Sequence, residues 1–349
     1  MRTKELPLPP DYKPEKAGEV WRLDYQKIAY TARGWSEKFN ISPAARDEFK
    51  ICLLAVDVQN TFCIPGFELF VGGRSGNGAV EDNRRLTNFI YRNLHRITRM
   101  IPTMDTHQAM QIFHSFFFVD DEGKHPEPYT IITPGDVRAG RWRVNPAVSD
   151  NFQYDTAYLQ NHLRHYTETL SRGGKYDLTI WPYHSMLGGI GHAMAAIFEE
   201  AVFFHTIARQ SQPEIHIKGN HPLTEHYSVF GPEVAAGPDG KKLTEKSEAL
   251  FGKLMEYDTL IIAGQAKSHC VAWTVTDLLA HIENQDESLA QKVYLLEDCA
   301  SAVVVPGVID YTEEADATYK RFADAGMHIV RSIVSMSEWP GKVGNTFRG

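Results

Sequence analysis

The sequence predicts an α/β protein. The expected architecture is a three-layer αβα sandwich, in which a mainly parallel, twisted sheet carries helices on both faces. Three observations lead there. The runs Ile51–Asp57 and Thr259–Ala263 are apolar up to their last residue and show no alternation, as strands buried on both faces do. Strand-like and helix-like stretches alternate along the chain, which is the pattern of a parallel sheet wound with helices. Polar residues of reactive type stand at the strand ends, where open α/β sheets bind their ligands.

Residues 1–48 are polar, Pro-containing and weakly periodic. Trp21, Tyr25, Tyr30 and Trp35 predict that they form an extension packed on the domain or on a partner subunit. One domain is expected over 49–340, with an insertion at about 115–177. Its first strand is Ile51–Asp57. The loop Val71–Gly78 is Gly-rich, but its spacing is not GxGxxG and it stands well past the strand end. It reads as a lead into a helix over 81–97 and not as a dinucleotide cradle. A second strand, Arg99–Met104, runs into Asp105 and His107.

The insertion is loop-like at Asp120–Pro128 and helical near 155–171, where Tyr158, Leu159, Leu163, Tyr166 and Leu170 recur at helical spacing. The stretch Leu178–His184, a Gly-rich turn at Gly188–Gly191 and a long apolar helix over 192–209 follow. Then come a short alternating strand at Glu214–Lys218, a helix near 244–256 and the strand at 259–263. Cys270 stands near the first turn of the next helix. A strand over Lys292–Asp298, a helix over 312–325 and a last strand at Gly326–Val330 complete the chain.

Composition narrows the function. The 349 residues are 43% hydrophobic and 23% charged, an ordinary globular balance. The net charge of −8 arises from 44 acidic and 36 basic residues with no basic run, so no nucleic-acid partner is expected. No apolar run approaches a membrane span, and the N-terminal ten residues lack the apolar core of a signal peptide. Cys52, Cys63, Cys270 and Cys299 form no CxxC pair and no disulfide scaffold. A reducing, cytoplasmic setting is expected, and a thiol nucleophile suits it.

Cys270 is the natural nucleophile. A helix N-terminus stabilises negative charge and so favours a thiolate. A lone cysteine there is as well explained by packing, and a lone Asp57 or Lys218 by an ordinary strand end. The balance shifts because Asp57, Asp105, His107, Lys218 and Cys270 all stand at strand ends and can converge on one cleft.

These pieces carry a resemblance. Ala55–Cys63, Asp105–His107, Trp181–His184, Lys218–Pro222 with Tyr227–Phe230, and Gly264–Val271 resemble, in order, the motifs of the isochorismatase-like cysteine hydrolases, and most of all the nicotinamidase-like branch. The resemblance covers about 51–114 and 178–332. It implies the isochorismatase-like hydrolase fold and a catalytic triad of Asp57, Lys218 and Cys270. In that scheme Asp57 moves the thiol proton and Lys218 balances charge. It implies an oxyanion hole from the N–H groups of Ala266 and Cys270, with a cis peptide between Gln265 and Ala266. It implies a divalent metal (Zn, Fe or Mn) on Asp105, His107 and His184. Phe62 and Trp181 become aromatic walls of the substrate pocket, with Tyr227 and His269 near its mouth. The substrate is a small amide, and the family assembles as homo-oligomers.

The chain departs from the pattern in places. The extension and the insertion are additional. His114 follows His107 at a longer spacing than a fourth ligand in typical nicotinamidases. Ser185–Gly189 and the pair Glu225–His226 replace the usual neighbours of His184 and Tyr227. Two other readings stay open: a metal-free isochorismatase-like hydrolase of another small carboxylate or vinyl ether, and a non-catalytic ligand-binding relative.

Overall fold

The computed structural model describes residues 4–152, 154–244 and 247–348. A six-stranded sheet is built from β1 (Ile51–Val56), β2 (Arg99–Asp105), β3 (His216–Lys218), β4 (Thr259–Gly264), β5 (Val293–Leu296) and β6 (His328–Val330). Its order is β6-β5-β4-β1-β2-β3. The β1–β2, β1–β4, β4–β5 and β5–β6 pairs are parallel. Every residue of β1 and β4 is buried, which is why neither strand shows an alternating pattern. Helices lie around the sheet, and the expected α/β class is the one observed.

The chain divides into two compact units. Unit 1 comprises Met1–Met104, Ala193–His216 and Glu248–Gly349. Its helices include α1 (Tyr25–Lys38), α2 (Gly78–Arg92), α4 (Ala196–Arg209), α5 (Glu248–Met255), α6 (Cys270–Gln285) and α7 (Thr312–Asp324). Helices α1 and α2 both pack on α4, and α6 packs on α7. Helix α1 lies inside the stretch that periodicity left irregular. Asp24 caps it by accepting the Lys27 N–H at 3.0 Å. The Tyr25 ring meets Phe203 edge-on at 5.0 Å, and the Ser36 hydroxyl donates to the Ala208 carbonyl at 3.1 Å. Trp35 is buried as its sequence position suggests, whereas Tyr30 is exposed. Helix α2 begins at Gly78, earlier than its apolar period, because the Gly78 N–H closes a turn onto the Gly72 carbonyl at 2.7 Å.

Unit 2 comprises Asp105–His192 and Ile217–Ser247. Its long helix α3 (Thr156–Arg172) starts at an Asp155 cap, which accepts the Ala157 N–H at 3.0 Å. It buries Leu159, Leu163, Tyr166 and Leu170. In the stretch 178–184 only Leu178–Thr179 forms a strand, paired antiparallel with Ile131–Ile132. Pro182 has no N–H to offer a ladder. Trp181 instead makes a single bridge to His114, and Ser185 turns the chain at φ 48°.

Candidate active site

In unit 1, Asp57 follows β1 and is fully buried, with its backbone in the left-handed region at φ 48°. Few residues other than Gly tolerate that region, and Asp is one of them. Thr103 of β2 holds it twice. The Thr103 hydroxyl donates to Asp57 Oδ1 at 2.5 Å and accepts the Asp57 N–H at 3.1 Å.

Val56 is in register with Gly264, and the Gln265 N–H donates to the Val56 carbonyl at 2.8 Å. Asp57 and the turn beyond β4 therefore leave neighbouring strands side by side. Only Gly fits at 264: φ is +121°, and a Cβ there would lie 2.0 Å from the Val56 oxygen.

The Gln265–Ala266 peptide is cis, as the motif resemblance implies. The Ala266 carbonyl takes the N–H groups of His269 at 3.0 Å and Val271 at 3.2 Å, which fixes the turn. Among the described residues, the N–H of the buried Ala266 meets no acceptor. Buried N–H groups are nearly always paired. Cys270 is buried and opens α6. Burial pushes the other three thiols up, Cys63 to about 12 and Cys52 and Cys299 still further, so they are poor nucleophiles. Phe62 is buried in the short helix Asn60–Cys63. His269 is buried against Tyr311, whose ring is 4.7 Å away, and burial lowers its pKa to about 3.

In unit 2, Asp105, His107 and His184 converge, with one ligand-type atom of each within 4.8 Å of the others. Asp105 Oδ2 lies 2.7 Å from His107 Nε2 and 3.6 Å from His184 Nε2. The far nitrogens are committed elsewhere. His107 Nδ1 faces the Gly219 carbonyl at 3.0 Å, and His184 Nδ1 faces the Pro182 carbonyl at 2.7 Å. A carbonyl only accepts, so Nδ1 carries the proton in each ring and Nε2 is directed at the carboxylate. Two lone-pair nitrogens around a carboxylate oxygen call for a cation between them, and this donor set fits a divalent metal.

Lys218 donates to Asp105 Oδ1 at 2.9 Å and to the His226 carbonyl at 2.8 Å. Burial works to raise the Asp105 carboxyl. The facing His107 and the Lys218 ammonium outweigh it and hold the group well below the usual carboxylate range. Trp181 Nε1 donates to the Tyr227 hydroxyl at 3.0 Å, so these two expected pocket residues are partners.

Several residues of unit 2 escaped the sequence reading. Gly219 sits at φ +83°, and a Cβ there would lie 2.6 Å from Asp105 Oδ1 and 2.7 Å from His107 Cε1. Gln111 is buried and donates to the carbonyls of Gly219 at 2.7 Å and His221 at 3.1 Å. Glu225 is buried, and burial pushes its carboxyl up to about 7. His114 stays outside the ligand group. Its Nδ1 meets the Gln108 carbonyl at 2.9 Å, and its ring centroid is about 6 Å from those of His107 and His184. The Gly after Lys218 was the one visible signal for Gly219. Nothing in one sequence marks Gln111.

No protein-family model matches the chain, and no curated protein does. Solved structures do. The yeast nicotinamidase Pnc1p bound to nicotinaldehyde is 16% identical, with 80% of this chain and 99% of that one covered at a TM-score of 0.50. A nicotinamidase/pyrazinamidase of Acinetobacter baumanii is 19% identical, with 82% and 98% covered at 0.47. A Pyrococcus horikoshii pyrazinamidase in complex with zinc is 18% identical, with 81% and 99% covered at 0.41. At these identities the likeness concerns the fold, and the yeast structure carries it. The chain shares the fold seen in the yeast nicotinamidase.

Proposed function

We propose that the chain is a metal-assisted thiol amidohydrolase that cleaves the C–N bond of a small amide, nicotinamide being the first candidate. The observation that carries this reading is the N–H of the buried Ala266, a donor that meets no acceptor among the described residues, in the turn that delivers Cys270. Such a donor suits an oxygen that becomes negative during acyl transfer. The order of the five motifs and the shared fold support it, and the convergence of Asp105, His107 and His184 favours amide hydrolysis over metal-free chemistry.

In this reading Cys270 sulfur attacks the carbonyl carbon while Asp57 takes the thiol proton. The C–S bond forms, and the carbonyl electron pair moves to the oxygen, which the N–H groups of Ala266 and Cys270 hold. The C–N bond then breaks, and Asp57 returns the proton to the departing amine. Asp57 then takes a proton from water, whose oxygen bonds to the thioester carbon; the C–S bond breaks, the acid leaves, and Asp57 returns the proton to the Cys270 sulfur. Lys218 is the cation of the set. Asp105, His107 and His184 would hold a divalent metal, which when bound supplies an electrophilic anchor that orients the substrate ring. Trp181 and Phe62 provide aromatic contact, with Tyr227 and His269 near the mouth. Glu225–His226 and Ser185–Gly189 argue for testing amides beyond nicotinamide.

The test is ammonia release from nicotinamide and a panel of small amides, with and without chelator. Wild type is expected to turn over at least one amide, and Cys270→Ala to lose activity by a factor of 10³ or more, on the order of what nucleophile removal costs. Full activity in Cys270→Ala would end this reading.

A further inference from the structure

The cis turn before Cys270 is gripped by a buried polar network whose members have no part in the chemistry above. Gln265 is fully buried. Its Nε2 donates to Asp82 Oδ2 at 2.9 Å, and its Oε1 accepts the Ser301 N–H at 3.4 Å. Asp82, on α2, is 2% exposed and also accepts from Arg85 Nη2 at 2.8 Å and from the Ser301 side chain. The Ser301 carbonyl takes the Lys267 N–H at 2.8 Å, and the Ser268 hydroxyl accepts the Val303 N–H at 3.0 Å. The turn at 265–268 is thus tied to α2 through Asp82 and to the segment 301–303 through Ser301 and Val303.

This also accounts for the Gly-rich loop that resembles no cofactor motif. A Cβ on Gly78 would lie 2.5 Å from Ser301 Oγ and 2.9 Å from the Gly72 carbonyl. Glycine there lets α2 come close enough for Asp82 to reach Gln265.

A buried carboxylate is expensive unless it is fully hydrogen-bonded, and apolar packing would hold a turn as well. What a network of this kind adds is orientation. A peptide unit is rigid, so fixing the Gln265 side chain fixes the plane that carries the Ala266 N–H. Donors to an oxyanion act only when aimed within a few tenths of an ångström.

We propose that Asp82, Gln265 and Ser301 are positioning residues that aim the Ala266 N–H at the carbonyl oxygen of the substrate. The proposal rests on the thiol amidohydrolase reading. It is tested in the full-length, metal-loaded protein with Gln265→Met, Asp82→Asn and Ser301→Ala, each first checked for a cooperative urea transition. Three readouts are taken: kinetics on nicotinamide, capture of nicotinaldehyde and alkylation by iodoacetamide. In the capture, Cys270 sulfur bonds to the aldehyde carbon and the carbonyl pair moves to oxygen, which receives the proton lost by the thiol. Alkylation displaces iodide and creates no oxyanion.

The expected result is a fall of about 10- to 100-fold in kcat, a partial loss of what one oxyanion donor contributes. KM is expected to stay within about twofold. Aldehyde capture weakens in parallel, and Cys270 alkylates at the wild-type rate. Ser301→Ala, the mildest change, carries the test if the other two fail to fold. Variants that match wild type in kcat and capture overturn the positioning role alone, as do variants in which alkylation falls by the same factor. If wild type captures the aldehyde and hydrolyses no amide, the amidase reading fails and the positioning role is judged on capture. If wild type does neither, both fall.

Discussion

At the scale of single residues, the candidate metal centre depends on one missing side chain. Gly219 follows Lys218 with φ +83°, and its Cα faces Asp105 and His107 so closely that a methyl group would lie 2.6 Å from the carboxylate oxygen. The same residue's carbonyl fixes the His107 tautomer at 3.0 Å. A Gly219→Ala substitution therefore disturbs two ligands at once and places a Cβ in a backbone region it tolerates poorly. Ligand orientation of this kind is worth about 10- to 100-fold in metal affinity. Calorimetric titration of the apo protein with Zn²⁺ should show a loss in that range, and an unchanged affinity would remove Gly219 from the site. Legibility at this scale was uneven. The places of Asp57, Asp105 and Cys270 at the ends of strands or just beyond them were legible because the strands before them are apolar runs. Gln111 and Glu225 were not, because they act through burial and through partners more than 100 residues away for Gln111, at Gly219 and His221, and burial is not written in a residue's type.

At the scale of elements, the buried strands were the most legible, since β1 and β4 have no solvent face to break their apolar runs. The stretch 178–184 pairs as a strand only at Leu178–Thr179, because apolar content marks burial, while a ladder needs N–H groups and Pro182 has none. Helix α1 was missed for the opposite reason. Only Ala32 and Trp35 of its fourteen residues are buried, so it has almost no apolar stripe to detect. Its attachment rests on its packing along α4 and on Trp35, whose ring lies 4.5 Å from Phe39 and is 7% exposed. If α1 is part of the folded unit and not a loose strap, Trp35→Ala should cost about 3–5 kcal/mol, as truncating a buried aromatic does. A urea transition of the variant at the wild-type midpoint would mean that α1 contributes nothing to unit 1.

At the scale of the whole molecule, the chain carries histidines that the fold keeps neutral. His205 on α4 is the cleanest case, because it stands far in sequence from every candidate ligand and its role is structural. Its Nε2 donates to the Ile97 carbonyl at 2.9 Å. Burial, aided by the charges of Arg209 and Arg99, lowers its pKa to about 4. A histidine whose pKa is lowered by folding binds its proton more readily in the unfolded chain. As pH falls below the unfolded value of about 6.5, the unfolded state takes up a proton that the native state refuses, and stability is lost until pH reaches about 4. The slope is about 1.4 kcal/mol per pH unit, and the full window amounts to about 3 kcal/mol. Glu225 opposes this over part of the range, since its raised carboxyl favours the folded state as pH falls toward its unfolded value. The effect of His205 is therefore isolated by comparison with His205→Gln, whose amide can still donate to Ile97 and does not titrate. The difference in unfolding free energy between the two proteins, from urea titrations at about pH 7.5, 6.5, 5.5 and 4.5, which span the window between the unfolded and native values, should move against wild type with each step below pH 6.5. A difference that stays constant across the series would show that His205 takes up its proton as readily in the native state as in the unfolded chain, and that α4 does not exclude charge from its buried face.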